Sequence, residues 1–293
     1  MSKCPKLNIL VAFPYFSKKI YEKLMELDPS TFRLIVDSGA FTAWNTGKQI
    51  SLDDYAKFLK SIPSHWDYKA VQLDVYGDPE QTYINYMRML DMGYADIMPV
   101  FTRGDSLERL EEFYSYTDYI MFGGIAIGGQ NTNYVKWFCE MNKGRHAHWL
   151  GFVNVPFIKH YKPYSVDSSS IKSSARFGNL QIYAGNGNLK SINKKEFSNI
   201  PSDNVIEMLK KHGLTLSQIL LLQNNQAWSS NAKAFKYKSQ NGIASFITYL
   251  GHTKRAIEVE KNLGTKIYQA LSSEGDVVAL FDALEFLKET NSI

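Results

Sequence analysis

Three aspartates stand where buried strands are predicted to end. Asp37 directly follows the apolar run of residues 34–36, and Asp74 and Asp167 follow the mostly apolar residues 70–73 and 164–166. Apolar runs without alternation are typical of strands buried on both faces, as in a parallel sheet. Paired acids suit glycosyl transfer, because one attacks the anomeric carbon while the other manages protons on the leaving group. Each aspartate also has a structural interpretation as a loop or helix cap.

A glycine-rich stretch follows another predicted strand. Residues 123–129 read Gly-Gly-Ile-Ala-Ile-Gly-Gly and come directly after the apolar residues 119–122. Glycine lets a flat ring approach the main chain closely, so Gly123 and Gly124 are candidates for the edge of a binding pocket. The stretch lacks the G-x-x-x-x-G-K pattern of a P-loop, and a plain loop is the alternative.

Strand and helix patterns alternate along the first two thirds of the chain. Eight such strands favour a (β/α)8 TIM barrel with a helical C-terminal extension, and an open doubly wound sheet is the alternative. In barrels of this kind the chemistry lies at the carboxyl ends of the strands. The predicted strands are residues 7–13, 32–36, 70–73, 96–101, 119–122, 148–152, 164–166 and 180–184.

The chain is predicted to divide near residue 190. Residues 1–190 would form the catalytic barrel core. Residues 191–293 would form a C-terminal helical region that completes the barrel and is a candidate for contact with nucleic acid. Helical patterns near residues 204–212, 216–222, 243–263 and 277–288 support this division.

Composition indicates a globular intracellular protein. With 293 residues, 44% of them hydrophobic, the chain can bury one large core. Its two cysteines, Cys4 and Cys139, supply neither a disulfide framework nor a cysteine-rich zinc site, which fits a reducing compartment. The N-terminus lacks a signal-peptide core and no 18-residue apolar run occurs. We therefore expect a cytoplasmic location (the host cytoplasm if the protein is viral) and no membrane partner.

The distribution of basic residues favours phosphate contacts more than the net charge of +4 does. Residues 136–195 carry ten Lys and Arg against only Glu140 and Asp167. A second basic stretch interleaves lysines with Trp228, Phe235 and Tyr237, a pattern that suits stacking and phosphate contact. A solvated basic surface and ordinary helix packing are the alternatives. The candidate nucleic-acid contacts are Lys172, Arg176, Lys233, Lys236 and Lys238.

His146 and His148 form an H-x-H pair, which can bind metal from one strand face. No further His, Cys or carboxylate cluster completes a ligand set nearby. We therefore predict no metal site and expect His148 to be a polar wall of the mouth.

The order of these motifs resembles that of the tRNA-guanine transglycosylases, over roughly residues 34–167. Those enzymes are (β/α)8 barrels that exchange a guanine in a polynucleotide for a 7-deazaguanine. The shared motifs are D-S-G-A-F at residues 37–41, L-D at 73–74, G-G-I-A-I-G-G at 123–129, W-L-G-F at 149–152 and S-V-D-S-S-S at 165–170.

The chain departs from that family in its pocket and its zinc module. It cannot build the family's site of three Cys and one His, and Thr42 stands where the family has Gln. Gly129 replaces a Glu, and no recognition Gln follows the fourth strand near Phe101. A shortened, zinc-free chain is more similar to the DpdA-type DNA-guanine transglycosylases of bacteriophages, which insert 7-deazaguanine derivatives into DNA.

The resemblance implies roles for individual residues. Asp167 would attack C1′ and form a covalent glycosyl-enzyme, Asp37 would move protons, and Asp74 would accept hydrogen bonds from the guanine N1–H and amino group. The other implied substrate-binding residues are Ser38, Gly39, Phe41, Phe101, Gly123, Gly124, Ile125, His148 and Gly151.

The resemblance implies no cofactor. It implies as partners DNA with a flipped-out or single-stranded guanine, a 7-deazaguanine base such as preQ0, and accessory proteins. Three alternatives stay open: a tRNA-directed transglycosylase, a non-catalytic barrel that binds nucleic acid, and an unrelated barrel lyase or hydrolase.

Overall fold

The computed structural model describes residues 5–125, 131–172, 177–228 and 242–293. The strands are β1 (Leu7–Ala12), β2 (Phe32–Asp37), β3 (Tyr68–Ala70), β4 (Val100–Phe101), β5 (Tyr119–Phe122), β6 (His146–Trp149), β7 (Ser165–Ser168), β8 (Asn179–Gly185), β9 (Asn188–Asn193) and β10 (Lys266–Leu271). The α-helices are α1 (Lys18–Met25), α2 (Ala40–Thr46), α3 (Leu52–Leu59), α4 (Pro79–Asp91), α5 (Leu107–Tyr116), α6 (Thr132–Asn142), α7 (Val155–Tyr161), α8 (Asp203–Lys210), α9 (Leu216–Leu220), α10 (Ile243–Leu263) and α11 (Glu274–Glu289).

Eight of the strands form one parallel sheet in the order β3-β2-β1-β10-β7-β6-β5-β4. The strands β1 to β3 and β4 to β7 each follow the order of the chain, β10 inserts between β1 and β7, and β3 and β4 are the two edge strands. Consecutive order with helices between the strands is the arrangement of a TIM-like α/β fold. The α/β class predicted from the sequence is confirmed.

The sheet is curled, so its two edge strands approach each other. The continuous ladder stops between β3 and β4, where Val71 and Met98 form an isolated parallel bridge. Two backbone hydrogen bonds cross this gap, from Met98 N to Ala70 O at 2.8 Å and from Gln72 N to Met98 O at 2.9 Å. Side chains from six strands or their extensions meet inside the curl as one apolar cluster: Leu10, Ile35, Val71, Met98, Val100, Tyr119, Met121 and Tyr268.

The prediction that residues 180–184 form the eighth strand of the parallel sheet is wrong. That segment belongs to β8, which pairs antiparallel with β9 in a separate two-stranded hairpin. Asn186 and Gly187 lie at the turn with φ of 51° and 83°, the left-handed geometry that an Asn-Gly hairpin turn uses. The sheet takes its eighth strand from β10, so the 191–293 region supplies a strand as well as helices. The division near residue 190 stays a prediction.

The helices cover the outer face of the sheet, and local capping signals set where several of them begin. Ser51 Oγ accepts a hydrogen bond from Asp54 N at 3.3 Å before α3, and Asp78 Oδ1 accepts one from Gln81 N at 2.9 Å before α4. Ser and Asp are favoured at this position because their side-chain oxygens accept a hydrogen bond from a free backbone N–H of the first helical turn. Within the described ranges, no helix combines the length and the apolar composition needed to cross a bilayer.

The long helix α10 joins the hairpin to the main sheet. It packs on β8 and also contacts β10 and α11. The closest approach is at Gly251, where a Cβ would lie 2.4 Å from the carbonyl oxygen of Gln181. Only glycine allows this contact, so the hairpin is held against the outer helix and stays outside the parallel sheet.

Candidate active site

Three aspartates meet at the carboxyl edge of the curled sheet. Asp37 ends β2, Asp167 lies in β7, and Asp74 follows the extension of β3 beyond Val71. Because all eight strands are parallel, their carboxyl ends open on the same mouth. The charges of Asp74 and Asp167 both act on Asp37 strongly enough to raise its pKa. Asp37 therefore lies near enough to both other carboxyl groups to interact with them electrostatically.

Asp37 is the carboxyl group whose protonation is most perturbed. Burial, followed by the negative charges of Asp74 and Asp167, raises its pKa to about 7. The N–H of Gly39 donates to Asp37 Oδ2 at 3.1 Å and opposes that rise. An acid with a pKa near neutrality can both give and accept a proton at working pH.

Gly39 allows the turn that carries Asp37 and Ser38. It precedes α2 with φ of 84°, and a Cβ there would lie 2.4 Å from Cδ of Pro14. A larger residue would meet both strained backbone and a proline ring. Backbone conformation therefore explains the glycine of the Asp-Ser-Gly motif, and the chemistry of the mouth concerns its aspartate.

Asp74 is held by Ser38 and by a loop that α4 fixes from behind. Ser38 Oγ donates to Asp74 Oδ1 at 2.6 Å, and burial raises the pKa of Asp74 despite that bond. Asn85 donates to the carbonyl oxygen of Leu73 at 2.9 Å, and Thr82 Oγ1 accepts from the N–H of Val75 at 2.8 Å. The residues on both sides of Asp74 are thus anchored to one helix.

Tyr55 of α3 ties the ends of β2 and β3 together. Its buried hydroxyl donates to the carbonyl oxygen of Val71 at 2.7 Å and lies 3.3 Å from that of Val36. Val36 directly precedes Asp37, so this phenol fixes the spacing between the two acidic strand ends. Tyr55 was not singled out from the sequence, because this role depends on two strands that are distant in the chain.

Asp167 is positioned by two hydrogen-bond donors on the same oxygen. The N–H of Gly151 donates to its Oδ1 at 2.6 Å, and His148 Nε2 lies 3.1 Å from the same atom. A carboxylate only accepts, so Nε2 donates to it, and Nδ1 lies 2.5 Å from Ser165 Oγ on the other side of the ring. Ser165 Oγ is also 2.5 Å from the hydroxyl of Tyr119, which continues the chain into the curl.

The resemblance implied that His148 and Gly151 contact substrate. In the structure both form hydrogen bonds to Asp167 instead. His148 is fully buried, and both of its ring nitrogens already have protein partners. The H-x-H spacing does not gather a metal site: His146 stacks on Tyr164 with ring centroids 4.3 Å apart. Among the described residues, no three His, Cys, Asp or Glu side chains are arranged so that they could hold a metal ion.

Other predicted pocket residues divide between the mouth and the core. Gly123 directly follows β5, with its N–H donating to the carbonyl oxygen of Phe101 at 2.8 Å, and Gly124 follows with φ of 71°. Ile125 has a buried side chain, so only its main chain is available there. Residues 126–129 of this motif lie outside the described residues.

The prediction that Phe101 contacts substrate is wrong for its side chain. The ring is fully buried in the main core and packs against Trp137 and Phe138 of α6. Strand residues alternate between faces, and Phe101 falls on the helix-facing side. Phe41, in contrast, is 57% exposed beside the mouth.

Most of the predicted nucleic-acid contacts lie outside the described residues, namely Arg176, Lys233, Lys236 and Lys238. Lys172 is described: its Nζ donates to Ser272 Oγ at 3.1 Å and lies 6.0 Å from the ring centroid of Tyr15. Trp228 is buried and donates to the carbonyl oxygen of Leu222 at 2.8 Å, so helix packing explains it.

No protein-family model, no curated protein and no solved structure matches this chain. Function is therefore argued from the geometry of the mouth. The arrangement offers a fixed carboxylate, Asp167, facing a pair of carboxyl groups, Asp37 and Asp74, with raised pKa values. Such a set can attack an electrophilic carbon and exchange protons with a leaving group.

Proposed function

We propose that this chain is a DNA-guanine transglycosylase that exchanges guanine for a 7-deazaguanine base. In this proposal the curled sheet works as a (β/α)8 barrel whose carboxyl-end mouth holds a flipped-out or single-stranded guanine. A glycosidic carbon is unreachable inside stacked duplex, so the nucleotide leaves the stack before reaction. The enzyme would be a pentosyltransferase that leaves the strand uncut.

The reaction would pass through a covalent intermediate on Asp167. A carboxylate oxygen of Asp167 bonds to C1′ while the bond from C1′ to N9 breaks, and its electron pair goes to guanine. Asp37 gives the departing guanine a proton. The incoming base then loses its N9 proton to Asp37, and N9 bonds to C1′ as the bond to Asp167 breaks. Asp37 and Asp167 thus return to their starting states.

The observation that carries the proposal is that the three carboxyl groups have different surroundings. Asp37 has a pKa near 7, which suits an acid that must give and regain a proton. Asp167 accepts two hydrogen bonds on Oδ1, which orient it for attack. Asp74 lies beside Asp37 with its Oδ1 bound by Ser38, and it could accept hydrogen bonds from a guanine edge.

DNA is favoured over tRNA by what the sequence lacks. Only two cysteines occur, so the zinc module of the tRNA-directed enzymes cannot form. A tRNA-directed transglycosylase is the second candidate, and the three carboxylates at the mouth support it equally. A barrel that only binds nucleic acid is disfavoured, because three acids at a mouth would repel phosphates.

The proposal is tested by base release and incorporation. Purified protein is incubated with DNA carrying labelled guanine, and separately with labelled tRNA, in the presence of 7-deazaguanine bases such as preQ0. We expect label to leave DNA but not tRNA, with the 7-deazaguanine recovered in an uncut strand.

The other outcomes are equally informative. Release from tRNA alone would move the chain to the second candidate. Absence of release from both substrates, under conditions where the protein binds them, would overturn base exchange as the function.

A further inference from the structure

A cavity borders Asp74. It has a volume of about 430 Å³ and lies between α2, the start of α3 and α4. Ligand cavities range over roughly 300–1,000 Å³, so this one can hold a nucleotide-sized group. Asp74 is one of its lining residues, so the cavity lies beside the position where the guanine would bind.

The rim of this cavity carries an exposed aromatic platform, made of Trp44, Tyr76 and Phe41. The Trp44 and Tyr76 rings lie 4.3 Å apart between centroids at an interplanar angle of 34°, and Phe41 packs against both. Trp44 remains 57% exposed although it is large and apolar. Exposed aromatic faces of this kind are where unstacked bases bind in single-strand-binding proteins.

The same cavity carries two cations near the platform. Lys48, in the turn after α2, and Arg88, on α4, both line it and both are exposed. Among the residues the structure describes, neither forms a salt bridge. Among the described lining residues, Asp74 is the one that carries a carboxyl group. Their charges are thus available to a phosphate.

We propose that this cavity binds the nucleotide next to the exchanged guanine in a single-stranded or flipped-out polynucleotide. The neighbouring base stacks on Trp44, and the connecting phosphate lies between Lys48 and Arg88. Aromatic and cationic groups side by side suit a nucleic-acid strand better than an apolar peptide, which would leave both cations without a partner. This inference rests on the proposed function, because it places the flipped guanine at Asp74.

The test measures binding, not turnover. A short fluorescein-labelled thymidine strand with one central guanine is titrated by fluorescence anisotropy, as DNA and as RNA of the same sequence. Trp44→Ala should weaken binding roughly 5- to 150-fold, the range of one lost base–aromatic stack. Trp44→Phe should restore most of the affinity.

A second binding experiment tests the two cations through the salt dependence of Kd. Lys48→Ala combined with Arg88→Ala should lower the slope of log Kd against log salt by about 1.4, at about 0.7 per lost contact to a single strand. The matched control is Lys19→Ala with Lys210→Ala, which removes the same charge from exposed sites on α1 and α8. The control should leave the slope nearly unchanged.

An abasic residue on either side of the guanine completes a double-mutant cycle. If the neighbouring base stacks on Trp44, removing that base weakens wild-type binding but not that of Trp44→Ala. Independent effects of the two changes on both sides of the guanine would overturn the inference, as would wild-type affinity in Trp44→Ala. Failure of base exchange with these binding effects intact would overturn the proposed function and leave the cavity assignment standing.

Discussion

The two sides of the mouth both carry aspartate side chains but surround them differently. On the β2–β3 side, Asp37 and Asp74 lie close together, and burial raises the pKa of both. On the β6–β7 side, Asp167 is a single carboxylate held by Gly151 and His148. Each aspartate stands at the end of a parallel strand, so the difference comes from the neighbours and not from the position in the fold.

This contrast teaches how one residue type can carry out several steps of a reaction. Crowded carboxyl groups resist ionisation and can hold a proton, whereas a carboxylate with two donors on one oxygen is fixed in direction. The proposed reaction therefore assigns proton transfer to the β2–β3 side and bond formation to the β6–β7 side. Four substitutions test that division.

The largest effect is expected at Asp167. Asp167→Asn should lower exchange on the order of 10⁴-fold, because a neutral amide cannot form the glycosyl bond. It should also abolish the covalent protein–DNA adduct that the proposed mechanism predicts for the wild type, which denaturing gels would measure. The circular dichroism spectrum and DNA affinity should stay close to those of the wild type. Full activity in this variant would sink the assignment of the nucleophile.

Asp37→Asn should cost about 10²- to 10⁴-fold in turnover, the usual contribution of general acid–base catalysis. The wild-type profile of kcat/KM against pH should carry a limb near pH 7 from Asp37. That limb should be absent from the residual activity of the variant. A limb that persists in Asp37→Asn would assign the proton transfer to another group.

The same substitution should stabilise the protein at high pH. The folded state raises the pKa of Asp37 from its ordinary value of 3.8 to about 7, so it binds more protons than the unfolded chain between those values. Wild-type stability therefore falls as pH rises from about 4 to about 7. Asp37→Asn removes that loss, a few kcal/mol at most, since one pKa unit corresponds to about 1.4 kcal/mol.

Thermal melting at pH 5 and pH 8 measures this effect. The melting temperature of Asp37→Asn should exceed that of the wild type by more at pH 8 than at pH 5. The matched control is Asp91→Asn, at an exposed aspartate at the end of α4. An equal gain at both pH values would contradict a raised pKa for Asp37.

His148 tests whether orientation matters on the β6–β7 side. His148→Leu removes the Nε2 donor to Asp167 Oδ1 and should lower kcat about 10²-fold, the cost of a small misplacement of a reacting group. KM should change little, because His148 is buried beneath the carboxylate. His148→Gln, whose amide can reach the Nε2 position, should recover part of the loss. Equal losses in both variants would indicate a packing role only.

Ser38 gives the smallest expected effect. Ser38→Ala removes the 2.6 Å hydrogen bond to Asp74 and should weaken substrate affinity roughly 10-fold, at about 1.5 kcal/mol for a bond to a charged group. The loss should fall on KM, with kcat nearly unchanged. A loss confined to kcat would move Ser38 from the recognition of the base to the chemistry.

Local signals in the sequence predicted local features correctly. The caps at Ser51 and Asp78 need only a side chain and a backbone N–H three residues later, so spacing alone reveals them. Asp37, Asp74 and Asp167 were predicted at strand ends because an apolar run followed by a polar residue marks the end of a buried strand. Parallel pairing then brings such residues to one edge.

The errors and omissions involve partners distant in the chain. β8 has strand-like composition, but its Asn-Gly turn and the close packing of α10 at Gly251 draw it into a hairpin, and β10 takes its place in the sheet. The direction of Phe101 depends on how β4 sits against α6, which its own sequence does not encode.

By itself, the sequence determined the alternation of strands and helices, the acidic strand ends and the glycine at Gly39, because each follows from neighbours within a few residues. Tertiary structure alone decided that Gly151 and His148 hold Asp167, that Tyr55 joins the ends of β2 and β3, and that Trp44 and Tyr76 form a platform beside a cavity. Such contacts join different strands and helices, and their geometry is set by the packing of the whole sheet.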